Sequence, residues 1–173
     1  MKLFITDLKK IIKREAFVTN AVMLLNAADN KRFRSFSNEE RSLQFLASRK
    51  IIKEHICPDY KTLKSGKATI KNGFVSIAHS KNFVVVAFSE NPVGVDIEEL
   101  TERKNYQKIT ERMHFKSCAT SDDFFKEWTA FEADFKLGKT KEKTKHTYIN
   151  YQGFLICLAS MSSQNINIQE IVF

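Results

Sequence analysis

The chain has 173 residues, of which 43% are hydrophobic, and it carries a formal net charge of +8 at pH 7. This length suits one compact unit or two small halves, and only five Gly and two Pro argue against a disordered chain. No apolar run approaches the roughly 20 residues that span a bilayer, and the N-terminal residues lack the apolar core of a secretory signal. We therefore expect a cytoplasmic protein without a membrane partner.

The positive charge suits a polyanionic partner, which is a nucleic acid, a membrane surface, a phosphorylated cofactor or an acidic protein. Charge alone does not choose among these classes. Cys57, Cys118 and Cys157 are widely spaced and form no C-x-x-C motif. Their pattern indicates buried small hydrophobic residues rather than a disulfide framework or a zinc site.

The first half of the chain has the pattern of helices followed by short strands. Residues 3–5 can form a strand, and residues 18–28 an apolar helix. Ser37 with Glu40 three residues later matches a capping box, and an apolar periodicity carries the next helix to about residue 56 with Arg41 and Arg49 on its polar side. Strands are expected at 67–70, 74–77 and 83–88, and the last is a continuous apolar run typical of a buried strand.

An acidic strand follows the turn at residues 89–92, which is the best candidate boundary between two halves. Residues 93–98 read VGVDIE, so Asp96 and Glu98 share one face and Val95 and Ile97 the other. Carboxylates two residues apart on a strand lie roughly 6–7 Å from each other and repel by about 2 kcal/mol at an effective dielectric near 20. A positive group is expected to offset this repulsion.

A helix with a mixed face is predicted for residues 124–139, after a cap at Asp122 or Asp123. Four aromatic residues recur at i, i+4, i+7 and i+11 and predict a buried apolar stripe: Phe124, Trp128, Phe131 and Phe135. Glu132 and Lys136 stand one turn apart on the neighbouring face. Strands at 148–150, 154–159 and 166–172 are expected to close the fold.

Three carboxylates are thus placed on rigid elements: Asp96 and Glu98 on the strand and Glu132 on the helix. Such a set suits a hard, oxygen-seeking dication such as Mg²⁺, which commonly also takes oxygens from a substrate phosphate. Taken singly, a D-x-E strand is most often a solvated edge, and a Glu and Lys at i, i+4 most often form a surface salt bridge.

In their order, these motifs resemble the 4′-phosphopantetheinyl transferases of the type that activates surfactin synthetase. That family has a His-Ser turn, then a strand G-[IV]-D-x-E, then a helix W-[ST]-x-K-E-[AS]-x-x-K. Here the matching residues are His79 and Ser80, GVDIE from Gly94, and WTAFEADFK from Trp128. Gly66-Lys67 and the helix at 38–53 are also similar, so the likeness covers roughly residues 32–160.

The chain departs from the family pattern at three places. Phe131 replaces the first Lys of the helix motif, and Ala78 replaces the Ser usual before the His. Asn26 and Asp29 stand where the N-terminal loop often has basic residues for the 3′-phosphate of coenzyme A. Phe131 is expected to complete the apolar stripe, a gain of roughly 1.5–3 kcal/mol if the side chain is fully buried.

The resemblance implies an α+β fold of two similar halves, each with a helix packed on a small, mainly antiparallel sheet, as a pseudodimer in one chain. Residues 1–92 would form the N-terminal half on the nucleotide side of coenzyme A. Residues 93–173 would form the C-terminal half with the metal and the catalytic helix. We expect a monomer.

The implied activity is the Mg²⁺-dependent transfer of 4′-phosphopantetheine from coenzyme A to a serine of an apo acyl or peptidyl carrier protein, with release of 3′,5′-ADP. Asp96, Glu98 and Glu132 would hold Mg²⁺; Glu132 is also the candidate base, and Lys136 would neutralise the leaving phosphate. The residues expected to contact the coenzyme are Arg41, Lys67, His79 and Ser80.

The acidic carrier is expected to dock on cations that follow the metal strand. These cations are Arg103, Lys104, Lys108, Arg112 and Lys116. Three apolar residues at i, i+3 and i+7 of the same stretch either anchor the carrier or pack this helix onto the body: Tyr106, Ile109 and Met113.

Two other classes of function stay open. A coenzyme A-binding pseudoenzyme of the same fold is favoured by Phe131 and Ala78, and a basic nucleic-acid-binding protein is favoured by charge alone. The aromatic residues occur in core-like patterns rather than interleaved with Lys and Arg, as a base-stacking surface requires. We therefore expect no nucleic-acid partner.

Overall fold

Two β-sheets with helices packed on them make up the fold, which is mixed α+β as predicted. The structure is a computed structural model, and it describes residues 1–102, 105–115, 118–138 and 143–173. Within these ranges, no helix is both long and apolar enough to cross a membrane.

Nine strands and five α-helices are described. The strands are β1 (Lys2–Asp7), β2 (Lys61–Thr62), β3 (Ala68–Thr69), β4 (Phe74–Ser80), β5 (Phe83–Ser89), β6 (Val93–Glu99), β7 (Lys145–Tyr151), β8 (Phe154–Ser160) and β9 (Asn167–Glu170). The helices are α1 (Arg14–Met23), α2 (Ala27–Phe33), α3 (Glu39–Ile51), α4 (Tyr106–Met113) and α5 (Ser121–Leu137).

The first sheet has the strand order β4-β5-β1-β9. Its central strand β5 confirms the prediction of a buried strand, because both of its faces are covered. Val84 and Val86 pack with α3 and α1 in one core cluster, and Val85 and Ala87 belong to a second cluster shared with the other sheet. A strand that is buried on both sides has no polar face, which explains the unbroken apolar run.

The second sheet has the order β6-β8-β7 and is antiparallel throughout. Val95 and Ile97 of β6 face the core between the two sheets, while Asp96 and Glu98 contact α5 on the other side. The predicted alternation along this strand is therefore confirmed. Strand β9 lies in the second half of the sequence but pairs in parallel with β1 of the first sheet. The division of the chain into two halves at residue 92 stays a prediction.

The predicted helices before β2 differ from those observed. A single helix at 18–28 was the expectation, but α1 ends at Met23 and Asn26 starts α2 by accepting a hydrogen bond from the Asp29 backbone at 2.9 Å. The cap of α3 is Asn38, which accepts from the Arg41 backbone at 2.9 Å, rather than Ser37. A short π-helical turn, Ile52–Ile56, extends α3 to the predicted end.

Arg49 is buried, contrary to its expected place on the polar side of α3. Its side chain is only 4% exposed and its Nε lies 3.1 Å from Oδ1 of Asp29, which is fully buried. Periodicity puts Arg41 and Arg49 near one face of the helix, but only a partner elsewhere in the chain decides whether a charge can be buried.

Loss of the Asp29 carboxylate should strongly destabilise the fold. In Asp29→Ala the buried Arg49 charge has no ionic partner, and we expect the free energy of unfolding to fall by about 3–5 kcal/mol. Glu39→Gln is the matched control, because it breaks the exposed ion pair of Arg14 and Glu39, 3.2 Å apart, at a cost of about 0–1 kcal/mol. Urea unfolding measures both, and equal losses would contradict the expectation.

Candidate active site

Helix α5 lies directly on strand β6, and Gly94 makes this approach feasible. A Cβ atom at Gly94 would stand 1.9 Å from the carbonyl oxygen of Ala133 and 2.8 Å from the backbone nitrogen of Leu137. Ala133 is itself fully buried and packs with Cys157 and Ala159 of β8. The small residues at this contact bring the polar groups of strand and helix within hydrogen-bonding distance.

Two polar contacts join β6 to α5. The Lys136 ammonium donates to Asp96 Oδ1 at 2.7 Å, and the Trp128 indole donates to Glu98 Oε1 at 2.9 Å. Lys136 thus supplies the positive charge expected next to the acidic strand. Both predicted metal ligands of this strand face the helix that carries Glu132.

Asp96 is the most buried of the three carboxylates. Burial raises the pKa of the Asp96 carboxyl to about 6; Lys136 opposes this rise, and the nearby charges of Glu98 and Glu132 add to it. One oxygen, Oδ2, is buried without a hydrogen-bond partner in the described structure. A buried carboxylate oxygen without a partner, close to two more carboxylates, is suited to bind a cation.

As the side chains stand, the described residues contain no group of three or more His, Cys, Asp or Glu that could hold a metal ion. Lys136 and the Trp128 indole occupy one oxygen each of Asp96 and Glu98. In this arrangement the Lys136 ammonium pairs with Asp96, and Glu98 is held by the Trp128 indole.

A second polar pair joins α3 to the end of β4. Nη1 of Arg41 lies 3.0 Å from Nδ1 of His79. Burial, together with the positive charges of Arg41 and Lys136, lowers the pKa of His79 to about 4. The imidazole is therefore neutral at pH 7, and Lys136 is near enough to His79 to contribute to this lowering of the pKa.

His79 and Ser80 are the last residues of β4, which corrects their expected place in a turn. The turn is made by Lys81 and Asn82, and Lys81 has a φ of 50°. Since successive residues of a strand point to opposite faces, the Ser80 side chain faces away from the side on which His79 meets Arg41.

An open cleft of about 490 Å³ lies between the turn at 65–67, β4 and the end of α5. Its lining includes Arg32, Lys67 and Lys136, and none of its described lining residues is acidic. Val75 and Ile77, which also line the cleft, lie on the face of β4 that carries His79. The size is ordinary for a cofactor site, and the charges favour an anionic ligand.

The apolar stripe predicted for α5 is wrong in its second half. Phe131 is 42% exposed and Phe135 is 78% exposed. The face that packs on β6 and β8 is made by other residues, which include Phe125, Thr129 and Ala133. The backbone contact at Gly94 leaves no room for an aromatic ring at this end of the helix, so Phe131 and Phe135 point away from it, whereas Phe124 and Phe125 near the start of the helix are buried. Helix α5 starts with Thr120 as its cap, in a capping box with Asp123.

Sequence reasoning missed two residues of the site, Gly94 as the contact point and Arg32 as part of the cleft. The Arg32 guanidinium lies over Gly66, where an added Cβ would stand 2.4 Å from its Cζ. Small residues spaced along α5 opposite Gly94 were a usable signal for the first. Nothing in the basic run around Arg32 distinguished it from its exposed neighbours.

The cations predicted to dock a carrier are described only in part. Lys108 and Arg112 are exposed on α4, whereas Arg103, Lys104 and Lys116 lie outside the described residues. Tyr106 and Ile109 pack against the core around Phe124, which supports their role in holding α4 on the body.

No family model matches the chain, and no curated protein matches it at a significant level. The likeness to phosphopantetheinyl transferases is therefore carried by the motif residues themselves.

A side chain at Gly94 should displace α5. We expect Gly94→Ala to reduce the free energy of unfolding by roughly 1–3 kcal/mol, the usual cost of overpacking, and to shift the emission of Trp128, the only tryptophan, to longer wavelength as it loses Glu98. Gly153→Ala is the control, because it strains a turn with φ +81° but meets no neighbouring atom. An unchanged Trp128 emission in Gly94→Ala would show that the contact does not position the helix.

Proposed function

We propose that this chain transfers the 4′-phosphopantetheine group from coenzyme A to a serine of an apo acyl or peptidyl carrier protein, with Mg²⁺ as cofactor. The observation that carries the proposal is the contact of Asp96 with Lys136, at 2.7 Å, beside a cationic cleft that Lys136 also lines. One site therefore combines carboxylates for a metal with cations for phosphates.

The pseudodimeric arrangement belongs to this proposal. Helix α3 packs on one face of the first sheet and α5 on one face of the second, while the opposite faces share a core. A backbone-to-side-chain hydrogen bond of 3.0 Å from Val95 to Ser76 links β6 to β4 where the two sheets meet. Two helix-on-sheet units that meet at β4 and β6 support the expected pseudodimer.

The cleft suits the phosphates of coenzyme A. Lys67 and Arg32 stand on one wall and Lys136 on the other, so an anion between them is attracted from both sides. Arg41, held against the neutral His79, adds a fourth cationic group next to this region. Ser80 lies on the opposite face of β4, and a direct role for it has less support.

Asp96, Glu98 and Glu132 would hold the Mg²⁺ ion, and Asp96 Oδ2 is the oxygen that lacks a partner now. When bound, the ion would neutralise charge on the pyrophosphate oxygens. Lys136 would exchange Asp96 for a phosphate oxygen of the leaving 3′,5′-ADP.

In the reaction, the carrier serine oxygen attacks the β-phosphorus of coenzyme A and the bond to the 3′,5′-ADP oxygen breaks. Glu132 takes the hydroxyl proton, and Lys136 balances the charge that develops on the leaving group. Because phosphoryl transfer needs little covalent chemistry from the protein, most of the work is positioning by rigid elements.

A coenzyme A-binding pseudoenzyme is the second candidate. It is favoured by the ammonium of Lys136 in contact with Asp96 and by Phe131, whose exposed ring stands where the family has a lysine. In that case the chain binds the coenzyme but transfers nothing.

Glu132→Gln should abolish most of the transfer activity. The amide keeps the shape of the side chain but neither takes a proton nor neutralises a metal, so we expect the turnover to fall roughly 10²- to 10⁴-fold. Asp134→Asn on the same helix, where Asp134 pairs with His146 at 2.9 Å, should keep wild-type turnover. The assay is the mass of apo carrier proteins after incubation with coenzyme A and Mg²⁺.

Near-normal turnover in Glu132→Gln would contradict the proposed role of Glu132 as base and metal ligand. Melting curves with coenzyme A separate the two candidates: a ligand at 100 times its Kd adds about 2.7 kcal/mol to stability. A raised melting temperature without any transfer by the wild type identifies the pseudoenzyme, and an unchanged one counts against both.

Charge reversal on α4 should weaken carrier docking specifically. We expect Lys108→Glu with Arg112→Glu to raise KM for the carrier, more strongly at low salt, and to leave KM for coenzyme A unchanged, because rim charges act chiefly on association. The control is Lys2→Glu with Lys10→Glu, which makes the same charge change at exposed positions elsewhere. If both constants change together, α4 is scaffold rather than docking surface.

A further inference from the structure

The buried carboxylate of Asp29 accepts hydrogen bonds from four side chains in three separate segments. Arg49 donates from α3 at 3.1 Å, Tyr60 at 2.7 Å, Thr62 at 2.9 Å and Asn26 at 3.2 Å. Burial and the adjacent Asp29 also raise the pKa of the Tyr60 hydroxyl, which stays protonated and donating. The carboxylate therefore fixes the Arg49 guanidinium in one orientation.

The other arm of that guanidinium reaches the cleft. Arg49 Nη2 donates to the Gly66 carbonyl oxygen at 2.8 Å, and Gly66 has a φ of +87°, which belongs to a tight turn. On its outer side the same turn is held by Arg32, whose Nη1 donates to the Ser65 carbonyl oxygen at 3.3 Å. The turn is thus fixed from the protein interior by one arginine and from the surface by another.

This turn forms one wall of the cationic cleft. Residues 65–67 and Arg32 line it opposite Phe135 and Lys136. Lys67 is exposed and follows Gly66 directly, so the carbonyl that Arg49 holds helps to fix its backbone, together with the hydrogen bond from the Leu63 amide to the Lys67 carbonyl oxygen. A small shift of the turn would move Lys67 and Arg32 together relative to Lys136.

Stability alone does not account for the pair. Replacing a buried ion pair by apolar residues of similar volume is commonly neutral or stabilising. A planar fork that binds a carboxylate with one edge and a backbone carbonyl with another has no apolar substitute. The interaction that requires an arginine at position 49 is the hydrogen bond to the Gly66 carbonyl oxygen.

We propose that Arg49, oriented by Asp29, is a positioning residue that sets the place of Lys67 and Arg32 in the cleft and thereby the affinity for the anionic ligand. This inference rests on the proposed function, in which the ligand is coenzyme A. It assigns Arg49 to ligand affinity and leaves the transfer step to the residues of β6 and α5.

The test is Arg49→Lys, which keeps the charge next to Asp29 but has no second arm for Gly66. We expect KM for coenzyme A, and the Kd for 3′,5′-ADP, to rise about tenfold, the low end of what loss of a supporting contact does to a ligand site, with kcat unchanged. The amide protons of Leu63 and Gly66, which bond within the turn, should exchange faster, while those of β5 keep their protection.

Tyr60→Phe is the matched control. It removes one donor from Asp29 and lowers the unfolding midpoint, but it leaves the Arg49 contact with Gly66 in place. We expect KM and the exchange of the turn to stay at wild-type values in this variant. If both variants raise KM in proportion to their loss of stability, the network is only structural and the inference fails.

An Arg49→Lys variant with unchanged KM and unchanged exchange in the turn would also overturn the inference. Failure of the proposed function looks different. If the wild type neither transfers the group nor binds coenzyme A, the proposed function is wrong, and the exchange rates of Leu63 and Gly66 alone then decide whether Arg49 positions the turn.

Discussion

The backbone contact of α5 with β6 at Gly94 is the constraint on which the candidate site depends. A helix that lies this close to a strand brings short side chains such as Asp96 within direct reach of groups on the helix, without intervening core residues. The same contact leaves no room for large side chains beside Gly94, and Phe131 and Phe135 on this part of α5 are exposed. One glycine thereby explains both the polar contacts and the outward aromatic face.

Burial of the Asp96 carboxylate and the positive charge of Lys136 have opposite effects on its ionisation. Removing the carboxylate from water favours its neutral form, and two neighbouring carboxylates add to that preference, while Lys136 stabilises the ionised form. A site with this balance gains most from an added cation, because the cation lowers the repulsion among all three acids at once. That is the physical reason for proposing a metal at these residues rather than at any other acidic group.

Predictions from the sequence were most reliable where the two-residue alternation of a strand decides which side chains are buried. The faces of β6 and the double burial of β5 follow from alternation or its absence, and the structure confirms both. They were least reliable where a partner distant in the chain decides. Arg49 is buried where it pairs with Asp29, and the packing of the second half of α5 depends on its contact with Gly94. The periodicity of a helix depends on the helix sequence alone, so it predicts neither the Arg49–Asp29 pair nor the contact with Gly94.

The two walls of the cleft are held in different ways. On one side, Lys136 is attached to a rigid helix and already has an ionic partner, so its ammonium can change partners without a change in the fold. On the other side, Lys67 lies in the turn between the short paired strands β2 and β3, and hydrogen bonds from Arg49 and Arg32 attach this turn to the body of the protein. Preorganised charges lose less freedom when a ligand binds. In the proposed site, a buried arginine holds the loop that carries Lys67, as the contact with β6 holds α5, so both walls present their charges in fixed positions.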